Sequence, residues 1–438
     1  MPDPAAPTAE TDPTPNLNDG ASPQSVRRLA RVQNGFLLFG LALLPIALVL
    51  AHKAVGVLLL IGGLLVAASS SVWHNTPYTE KKWRALSAGP LSLFFFLGLC
   101  LWLGVTALWS TAPKAFTLFL IPLGTGLSAL ALSRWLLAGS TIQAQRLLNV
   151  FALAIIASAL LLSVEAITGG AIRLMIPPDD LSWNRHKDIG HLGRGVTILV
   201  LMVFPAALVL RARQGHWLGL AMLSALAFYV GVTFTISANV LGLAAGIIAF
   251  VCALGAPRTT LLVLTALILG FLILMPAIAA WLPAEMLHAR WEGTVPASWL
   301  QRLYVWQAVG AEIVTGLPFG HGVDYARILT GTTPTIEIAG AVGPLQVFPI
   351  HPHSVFLQLW LEGGVPAVLL ATGALIFGVN ALLRAGFSPP TLAGFAGVMA
   401  ASLVSFAVEA SLWQLWRPAG IGVAIAALIA CERAGRTS

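Results

Sequence analysis

Charged residues are scarce in this chain: Asp, Glu, Lys and Arg make up 9% of its 438 residues, against about 25% in a soluble domain. That scarcity excludes an ordinary soluble protein. Cysteine is rarer still, and Cys100, Cys252 and Cys431 all lie in or at the ends of apolar segments without the spacing of a metal or disulfide site. The sequence also lacks a Walker-type motif, so it gives no signal of an ATP-driven reaction.

Long apolar runs dominate what is present. Hydrophobic residues make up 58% of the sequence, and stretches of about 20 apolar residues recur along nearly the whole chain. At a rise of about 1.5 Å per residue, each stretch can cross a hydrocarbon layer of about 30 Å as a helix. Because lipid offers backbone groups no hydrogen-bonding partner, these stretches must be helical. The sequence therefore predicts an all-α integral membrane protein.

The apolar runs also divide the chain into regions. Residues 1–26 are rich in Pro, Ala, Thr, Asp and Asn and lack the pattern of a cleavable signal, which predicts a disordered cytoplasmic tail. The other predicted regions are nine transmembrane helices over 27–282 with an outer loop near 169–194, a large outer loop over 283–353, three helices over 354–431 and a cytoplasmic tail over 432–438. The twelve helices are predicted near 34–51, 54–71, 90–110, 115–133, 147–168, 195–210, 217–236, 238–255, 260–282, 354–377, 389–409 and 413–431.

The net charge of +7 belongs to a membrane protein, so the basic residues must be sorted by side before a partner is inferred. With the amino terminus in the cytoplasm, the predicted cytoplasmic connections receive 14 of the 24 Lys and Arg, in agreement with the positive-inside rule. Seven others fall in the two long outer loops: Arg173, Arg185, Lys187, Arg194, Arg290, Arg302 and Arg327. They favour an anionic partner at the outer face and not a nucleic acid, although long loops also cross membranes regardless of charge.

The outer loops carry polar residues that are candidates for chemistry. The first contains Asp179 and Asp180, which without further ligands at fixed spacing favour a solvated turn over a metal site. The second contains "SWLQRLYVWQAVGAEIVTG" over 298–316, whose apolar spacing predicts an amphipathic helix on or near the membrane surface. Arg302 lies one turn from Trp299 on this helix, where it would either reach a phosphate head group or snorkel to the interface.

Two histidines precede the tenth predicted helix in "HPHSVFLQLWLEGG", residues 351–364. Pro352 is acceptable only near a helix start, so His351 and His353 are expected at the mouth of this helix, at the outer interface. A chemical role for His353 competes there with a simple packing role. Glu362 lies about 13 Å deeper at helical rise, too far to orient the imidazole. It is expected to supply packing polarity or to be protonated, and an acid within the membrane is also a candidate site.

The same segment resembles a family signature. His353 and Ser354, followed by nine residues and Gly364, are similar to the signature of the O-antigen ligase and polymerase superfamily, in which His and then Asn, Ser or Gln precede nine residues and Gly-x-x-Gly. The second signature glycine is replaced by Ala367, which keeps a small residue at that position.

Two other segments carry the resemblance further. Arg302 with a tryptophan four residues on, followed by the Pro-x-Gly-x-Gly turn of "PFGHG" over 318–322, resembles the family's second outer loop. Arg185 in "WNR" and Arg194 in "LGRG" lie where the family keeps an earlier essential arginine, and either is compatible with that position. Together with the helix pattern, the resemblance covers about the whole membrane region.

The resemblance implies an enzyme that takes a glycan from undecaprenyl pyrophosphate at the periplasmic face of the bacterial inner membrane and joins it to a sugar hydroxyl. In the ligase branch this hydroxyl belongs to lipid A core. The implied partners are the lipid-linked glycan donor, the lipid A core acceptor and membrane lipids. The donor carries the energy of the reaction, so no cofactor is implied. Guanidinium groups bind phosphate oxygens bidentately, so arginines can neutralise the leaving pyrophosphate without a metal.

The roles of the site residues follow from the resemblance and this chemistry. His353 is predicted to be the general base that takes the proton of the acceptor hydroxyl, and neighbouring cations should keep it neutral. Arg302, Arg185 and Arg194 are predicted to bind the pyrophosphate. Supporting roles are predicted for Lys187, His351 and Glu362.

Three alternatives remain open. An O-antigen polymerase of the same superfamily uses a second lipid-linked glycan as acceptor, and a protein O-glycosyltransferase uses a protein. From another class, a lipid-linked glycan transporter would need polar residues lining several helices. The predicted helices hold few charges, Glu165, Glu362 and Glu409 among them, and this favours an enzyme at the outer face over a conduit.

Overall fold

A computed structural model describes residues 23–69, 89–176, 185–234, 236–330, 334–341 and 343–435. Nearly all of the regular structure in these ranges is helical, and two short strands form one antiparallel pair. Apart from this hairpin, the described chain is an all-α membrane protein. Most of the predicted tail over 1–26 lies outside the described residues, and the first helix begins at Pro23.

The elements are numbered here in chain order. The helices are α1 (Pro23–Ala42), α2 (Leu44–Leu50), α3 (Ala54–Ala67), α4 (Gly89–Thr106), α5 (Ala115–Leu118), α6 (Leu120–Ala138), α7 (Thr141–Thr168), α8 (Arg185–Gln214), α9 (Leu218–Thr233), α10 (Ser237–Gly255), α11 (Pro257–Ala280), α12 (Ala284–Trp291), α13 (Ala297–Thr315), α14 (Tyr325–Leu329), α15 (Val355–Arg384), α16 (Pro389–Val408) and α17 (Trp416–Ala434). A 3₁₀ turn covers Arg173–Met175, and the strands are β1 (Thr335–Ile336) and β2 (Leu345–Gln346).

Seven helical segments of the described chain are long and apolar enough to cross a membrane: Ala115–Ala138, Thr141–Thr168, Gly190–Gln214, Ser237–Gly255, Pro257–Ala280, Val355–Arg384 and Pro389–Val408. Helices α1 and α2 make an eighth if their 46° bend lies within one span. Pro45 explains this bend, because it cannot donate a hydrogen bond to the preceding turn. Helices also occupy the other predicted positions, but α3, α4 and α9 are shorter than the segments named above. The prediction of twelve spans is therefore confirmed only in part.

Helix α8 lies at the centre of the bundle. Its most apolar stretch has 83% of its residues buried within the protein, and it packs against α2, α7, α9, α16 and α17. A helix that is apolar all round suits a position surrounded by other helices. The amino-terminal turns of α8 carry His191 and Arg194. Because α8 is the central helix, these polar residues lie at one end of the bundle, near its axis.

The described residues of 283–353 pack over that end of the bundle, which we call the loop end. The helix predicted over 298–316 is α13, which packs against α11 and α15. Gly310 lies against the backbone of Ala279 and Ala280, where a Cβ would overlap it. An apolar core that includes Val305, Val309 and Phe356 joins the loop helices to the bundle. The loop helices are thus held in fixed positions above α11 and α15.

Candidate active site

Helix α15 is broken at Gly364, the glycine of the signature. Gly364 has φ 62° and ψ −158°, a conformation that suits glycine, and a Cβ there would overlap the carbonyl oxygen of Pro318. Pro366 follows and has no N–H to donate. The break therefore leaves the carbonyl groups of Leu361 and Glu362 without their usual partners in the next helical turn.

The turn over 318–322 occupies the break. The amides of His321 and Gly322 donate to the two freed carbonyl oxygens of α15 at 2.8 and 3.0 Å. In the other direction, the amide of Val365 donates to the carbonyl of Pro318 at 2.8 Å. The glycine-rich turn and the signature glycine, which are distant in sequence, therefore form one hydrogen-bonded unit. This unit fixes the first two turns of α15 at the loop end.

His353 precedes α15 in a strained backbone conformation. Its φ is 55°, in the left-handed region that costs a residue with a Cβ about 1–2 kcal/mol. Its amide donates to Nδ1 of His351 at 3.3 Å, and the two ring centres lie 4.4 Å apart. Ser354 caps the helix, since its hydroxyl accepts from the amide of Leu357 at 3.5 Å. Strain of this kind is typical of functional sites, where the surrounding structure maintains it.

The two ring nitrogens of His353 have different surroundings. The backbone carbonyl of Glu409 lies within hydrogen-bonding reach of the ring, whereas Nδ1 is buried with no hydrogen-bond partner in the described part of the chain. A carbonyl oxygen only accepts, so it favours a proton on the nitrogen that faces it. In that tautomer Nδ1 of the neutral ring is an acceptor.

Burial and neighbouring cations keep both imidazoles neutral. Burial is the largest cause that holds the pKa of His353 well below its usual range, followed by the ring of His351 and the charge of Arg302. Burial also lowers the pKa of His351 to about 4. The positive charges that lower the His351 pKa further are those of Arg417, Arg327, Arg194 and Arg302. The site therefore presents an unprotonated imidazole among guanidinium groups at neutral pH.

Arg302 lies on α13 with its side chain folded back along the helix. Its Nη1 donates to the carbonyl of Ser298 at 2.8 Å, and its Cζ lies 6.0 Å from the ring centre of Trp299. Trp299 is fixed in turn, because its indole donates to Oγ of Ser237 at 2.7 Å. The Nε of Arg302 is buried and has no partner among the described residues. The guanidinium thus keeps a donor for a ligand.

Arg194 reaches the site from α8. Its Nη1 lies 3.4 Å from Nε2 of His52, a residue in the connection between α2 and α3. Burial, with the charge of Arg194 as the next cause, lowers the pKa of His52 to about 3, so His52 is a neutral acceptor for this guanidinium. The charge of Arg194 interacts electrostatically with both His351 and Glu409. The helix position of Arg194 differs from the loop that the sequence predicted.

Arg417 and Glu409 are site residues that sequence reasoning missed. Arg417 is 2% exposed, and its Nη1 lies 3.6 Å from Oε2 of Glu409. Its Nε donates to Oε1 of Gln414 at 3.1 Å, and Nη1 also donates to Oγ of Ser405. An arginine near the end of an apolar helix is a sequence signal of function in a membrane protein, but Ser405, on α16, and Glu409, directly after α16, could not be assigned as its partners from spacing.

Comparison with known proteins gives relatives of low identity. A protein of Rickettsia prowazekii that is provisionally named a polysaccharide ligase is 23% identical over 273 residues, which are 61% of this chain and 64% of the relative. A relative of the same provisional name in Rickettsia conorii is 26% identical over 233 residues, or 51% of this chain and 54% of the relative. These relatives support an O-antigen ligase-like family. The chain spans less than two thirds of their length, and no family model matches it.

Among the residues that the family resemblance singled out, the structure brings four together at the loop end: His351, His353, Arg302 and Arg194. Arg185 and Lys187 lie in the first turn of α8, but their side chains are outside the described part of the chain. Asp179 and Asp180 lie outside the described residues altogether.

Glu362 lies among the nine residues between Ser354 and Gly364 and builds a separate network. Its fully buried carboxylate accepts from the amide of Asp324 at 2.8 Å, the indole of Trp413 at 2.9 Å and the amide side chain of Gln358 at 2.9 Å. Gln358 in turn accepts from the amide of Leu412 at 2.9 Å. Glu362 therefore joins α15 to the segments on either side of it that carry Arg327 and Glu409, and acts on the site by positioning them.

Proposed function

We propose that this protein transfers O-antigen polysaccharide from undecaprenyl pyrophosphate to a sugar hydroxyl of lipid A core, at the periplasmic face of the bacterial inner membrane. The observation that carries the proposal is a pair of neutral imidazoles, His351 and His353, whose ring centres lie 4.4 Å apart beside the guanidinium groups of Arg302, Arg417 and Arg194. This arrangement suits a reaction that needs a base for a hydroxyl and cations for a leaving pyrophosphate. The names of the relatives support a ligase-type glycosyltransferase.

The arginines bind the pyrophosphate of the donor. Each guanidinium presents paired N–H donors that match phosphate oxygens, and it stays protonated at any working pH. Arg302 donates to a carbonyl of its own helix, a contact that a phosphate oxygen replaces with a stronger, charge-assisted one. Arg194 and Arg417 approach from α8 and α17, so the pyrophosphate is held from three helices. Arg185, in the first turn of α8, is proposed as a further contributor.

His353 acts on the acceptor. As the hydroxyl oxygen attacks the anomeric carbon, its proton passes to Nδ1 of His353, and a new bond from this oxygen to the anomeric carbon forms. The bond from that carbon to the pyrophosphate oxygen breaks, and its electron pair stays on the pyrophosphate. A positioned base contributes about 10² to 10⁴ in rate. Direct displacement of this kind inverts the anomeric centre.

Donor binding also adjusts the strength of the base. Burial and cations hold the pKa of His353 well below its usual range, which makes the imidazole a weak base. The negative charges of a bound pyrophosphate offset those cations and raise the pKa of His353 towards neutrality. A base is most effective when its pKa lies near the working pH. His353 therefore becomes a stronger base only when the donor is in place.

The proposal is tested by reconstitution of purified protein in liposomes with lipid-linked glycan and core lipid. The informative variant is His353→Asn, because asparagine tolerates positive φ and so keeps the local backbone but removes the base. We expect glycan attached to core lipid with the wild type, and at least about 100-fold slower transfer with His353→Asn. The matched control is His288→Ala on α12, whose imidazole lies 2.8 Å from the hydroxyl of Tyr304. Normal transfer by His353→Asn would overturn the role of the histidine.

A further inference from the structure

A second concave surface lies at the loop end, next to the site described above. It is a groove of about 710 Å³ between the end of α4, the end of α13 and helix α14. Its walls include Trp102, Trp109, Phe319, His321 and Tyr325. A volume of this size is typical of small-molecule sites, and the reaction proposed above leaves these side chains without a role.

Two tryptophan rings of the groove are held by hydrogen bonds to backbone carbonyls. Trp102 donates through its indole N–H to the carbonyl of Gly363 at 2.7 Å, and Trp109, which is 41% exposed, donates to the carbonyl of Gly320 at 3.1 Å. Phe319 lies 6.1 Å from Trp102 and is 56% exposed. Interfacial tryptophans usually keep the polar N–H wet and the ring in the apolar phase. Here the N–H groups bond to the protein backbone, and the exposed parts of Trp109 and Phe319 are what the groove offers.

Polar groups lie at the other end of the groove. The ring of His321 stacks on Tyr325 at 4.2 Å, and its Nε2 lies 3.2 Å from the hydroxyl of Thr315. The hydroxyl of Tyr325 donates to Oε1 of Glu312 at 2.7 Å. No Lys or Arg lines the groove in the described part of the chain, so the groove is unsuited to pyrophosphate. Aromatic faces beside hydrogen-bonding groups suit a neutral ligand that has both C–H faces and hydroxyl groups.

Helix α14 connects this groove with the histidine site. Tyr325 and Ile328 face the groove, whereas Arg327, on the same short helix, lowers the pKa of His351. The turn that carries Phe319 and His321 also fills the break in α15. The groove and the histidines therefore both border the hydrogen-bonded unit that the turn over 318–322 forms with α15.

We propose that the groove is a saccharide subsite that binds a neutral pyranose ring of the glycan substrates. The C–H face of the sugar packs on Trp109 and Phe319, because the negative ring face attracts its hydrogens, and the sugar hydroxyls bond to Thr315 and His321. The proposal rests on the proposed function for the identity of the saccharide. Binding itself requires no transfer.

The test measures binding of two soluble, phosphate-free saccharides to the full-length protein by saturation-transfer NMR. One is the polysaccharide released from its lipid carrier by mild acid, and the other is the dephosphorylated saccharide of the core lipid. The variants are Trp109→Ala and Phe319→Ala, and Trp281→Ala at the end of α11 is the matched control, since Trp281 is 87% exposed and lies outside the groove.

We expect at least one saccharide to bind the wild type and Trp281→Ala equally, and to bind both groove variants about tenfold more weakly. Which saccharide binds identifies the donor or the acceptor as its source. The proposal is overturned if neither saccharide binds the wild type, if the groove variants bind like the wild type, or if they lose only the intact lipid-linked donor. If the wild type and His353→Asn both bind the saccharide but the wild type transfers no glycan, the proposed function is contradicted. The assignment of the groove as a saccharide subsite would still stand.

Discussion

Nη1 of Arg417 lies 3.6 Å from Oε2 of Glu409, and the backbone carbonyl of the same glutamate lies within reach of the His353 ring. Burial lowers the pKa of the Arg302 guanidinium on α13, and the charge of Glu409 offsets part of that effect. Glu409 is therefore a shared counter-charge of Arg417 and Arg302. A pyrophosphate that enters the cluster meets this carboxylate as a competitor.

Replacement of Glu409 by glutamine should have two opposite effects. The buried guanidinium of Arg417 loses its carboxylate, so the protein should be less stable by about 3 kcal/mol. The cluster also becomes more positive, so inorganic pyrophosphate should bind roughly tenfold more tightly. Thermal unfolding and calorimetric titration measure the two effects, with Glu292→Gln, directly after α12, as a control. Unchanged pyrophosphate affinity in Glu409→Gln would show that the carboxylate does not compete with the ligand.

Removal of His351 should be milder than removal of His353. His351 supports the strained backbone through the hydrogen bond between its Nδ1 and the amide of His353, but it is not the proposed base. We expect His351→Ala to lower kcat by less than about tenfold, against about 100-fold or more for His353→Asn. Single-turnover transfer rates compare the two directly. Equal losses would mean that the wrong histidine has been chosen.

Arg302 should not tolerate lysine. Lysine keeps the charge but loses the planar pair of donors that binds two phosphate oxygens, so Arg302→Lys should be nearly as damaging as Arg302→Ala. Arg290→Lys, at an exposed position on α12, is the matched control and should transfer normally. The readout is KM for the lipid-linked donor together with kcat. Rescue by lysine at position 302 would point to a diffuse positive field in place of a specific clamp.

The pH dependence should reflect the low pKa of His353. The active form is the unprotonated imidazole, which is lost as pH falls through its pKa. Because that pKa lies well below 6.5, kcat/KM, which reports the free enzyme, should stay flat from about pH 8 through 6.5 and fall only in more acidic buffer. The fall in kcat should occur at higher pH, since bound pyrophosphate raises the pKa. An acid limb of kcat/KM at or above pH 6.5 would contradict the assigned surroundings of His353.

The approximate positions of the helices, but not their lengths, could be predicted from the sequence because apolar runs of about 20 residues have few other uses. The amino-terminal turns of α8 were predicted as loop because Arg185, Lys187 and Arg194 interrupt the apolar pattern. The structure makes them helical, and Arg194 there lies beside His52. A hydropathy pattern cannot show that polar helical residues will meet polar partners inside a bundle.

The candidate site was predictable where a local motif marks it and not where partners meet across helices. The signature predicted a catalytic role for His353, which stays a prediction, and it marked Gly364, where the structure has the positive φ that breaks α15. Arg417 has no motif of its own, and it reaches the site only because α16 and α17 pack side by side. In the sequence, Trp102 and Trp109 are ordinary apolar residues of the helix predicted over 90–110. Their place in the groove follows only from the position of the turn over 318–322 beside them.

The most direct test of the central claim is a transfer assay with purified protein in liposomes, run with and without core lipid and with lipid-linked glycans of several unrelated structures. A single pyrophosphate clamp beside an open cleft places few demands on the transferred chain. The account predicts that several of these glycans become attached to lipid A core, and that no lipid-linked repeat unit is lengthened when core lipid is absent. Lengthening of lipid-linked repeats without core lipid would contradict it and identify a polymerase instead.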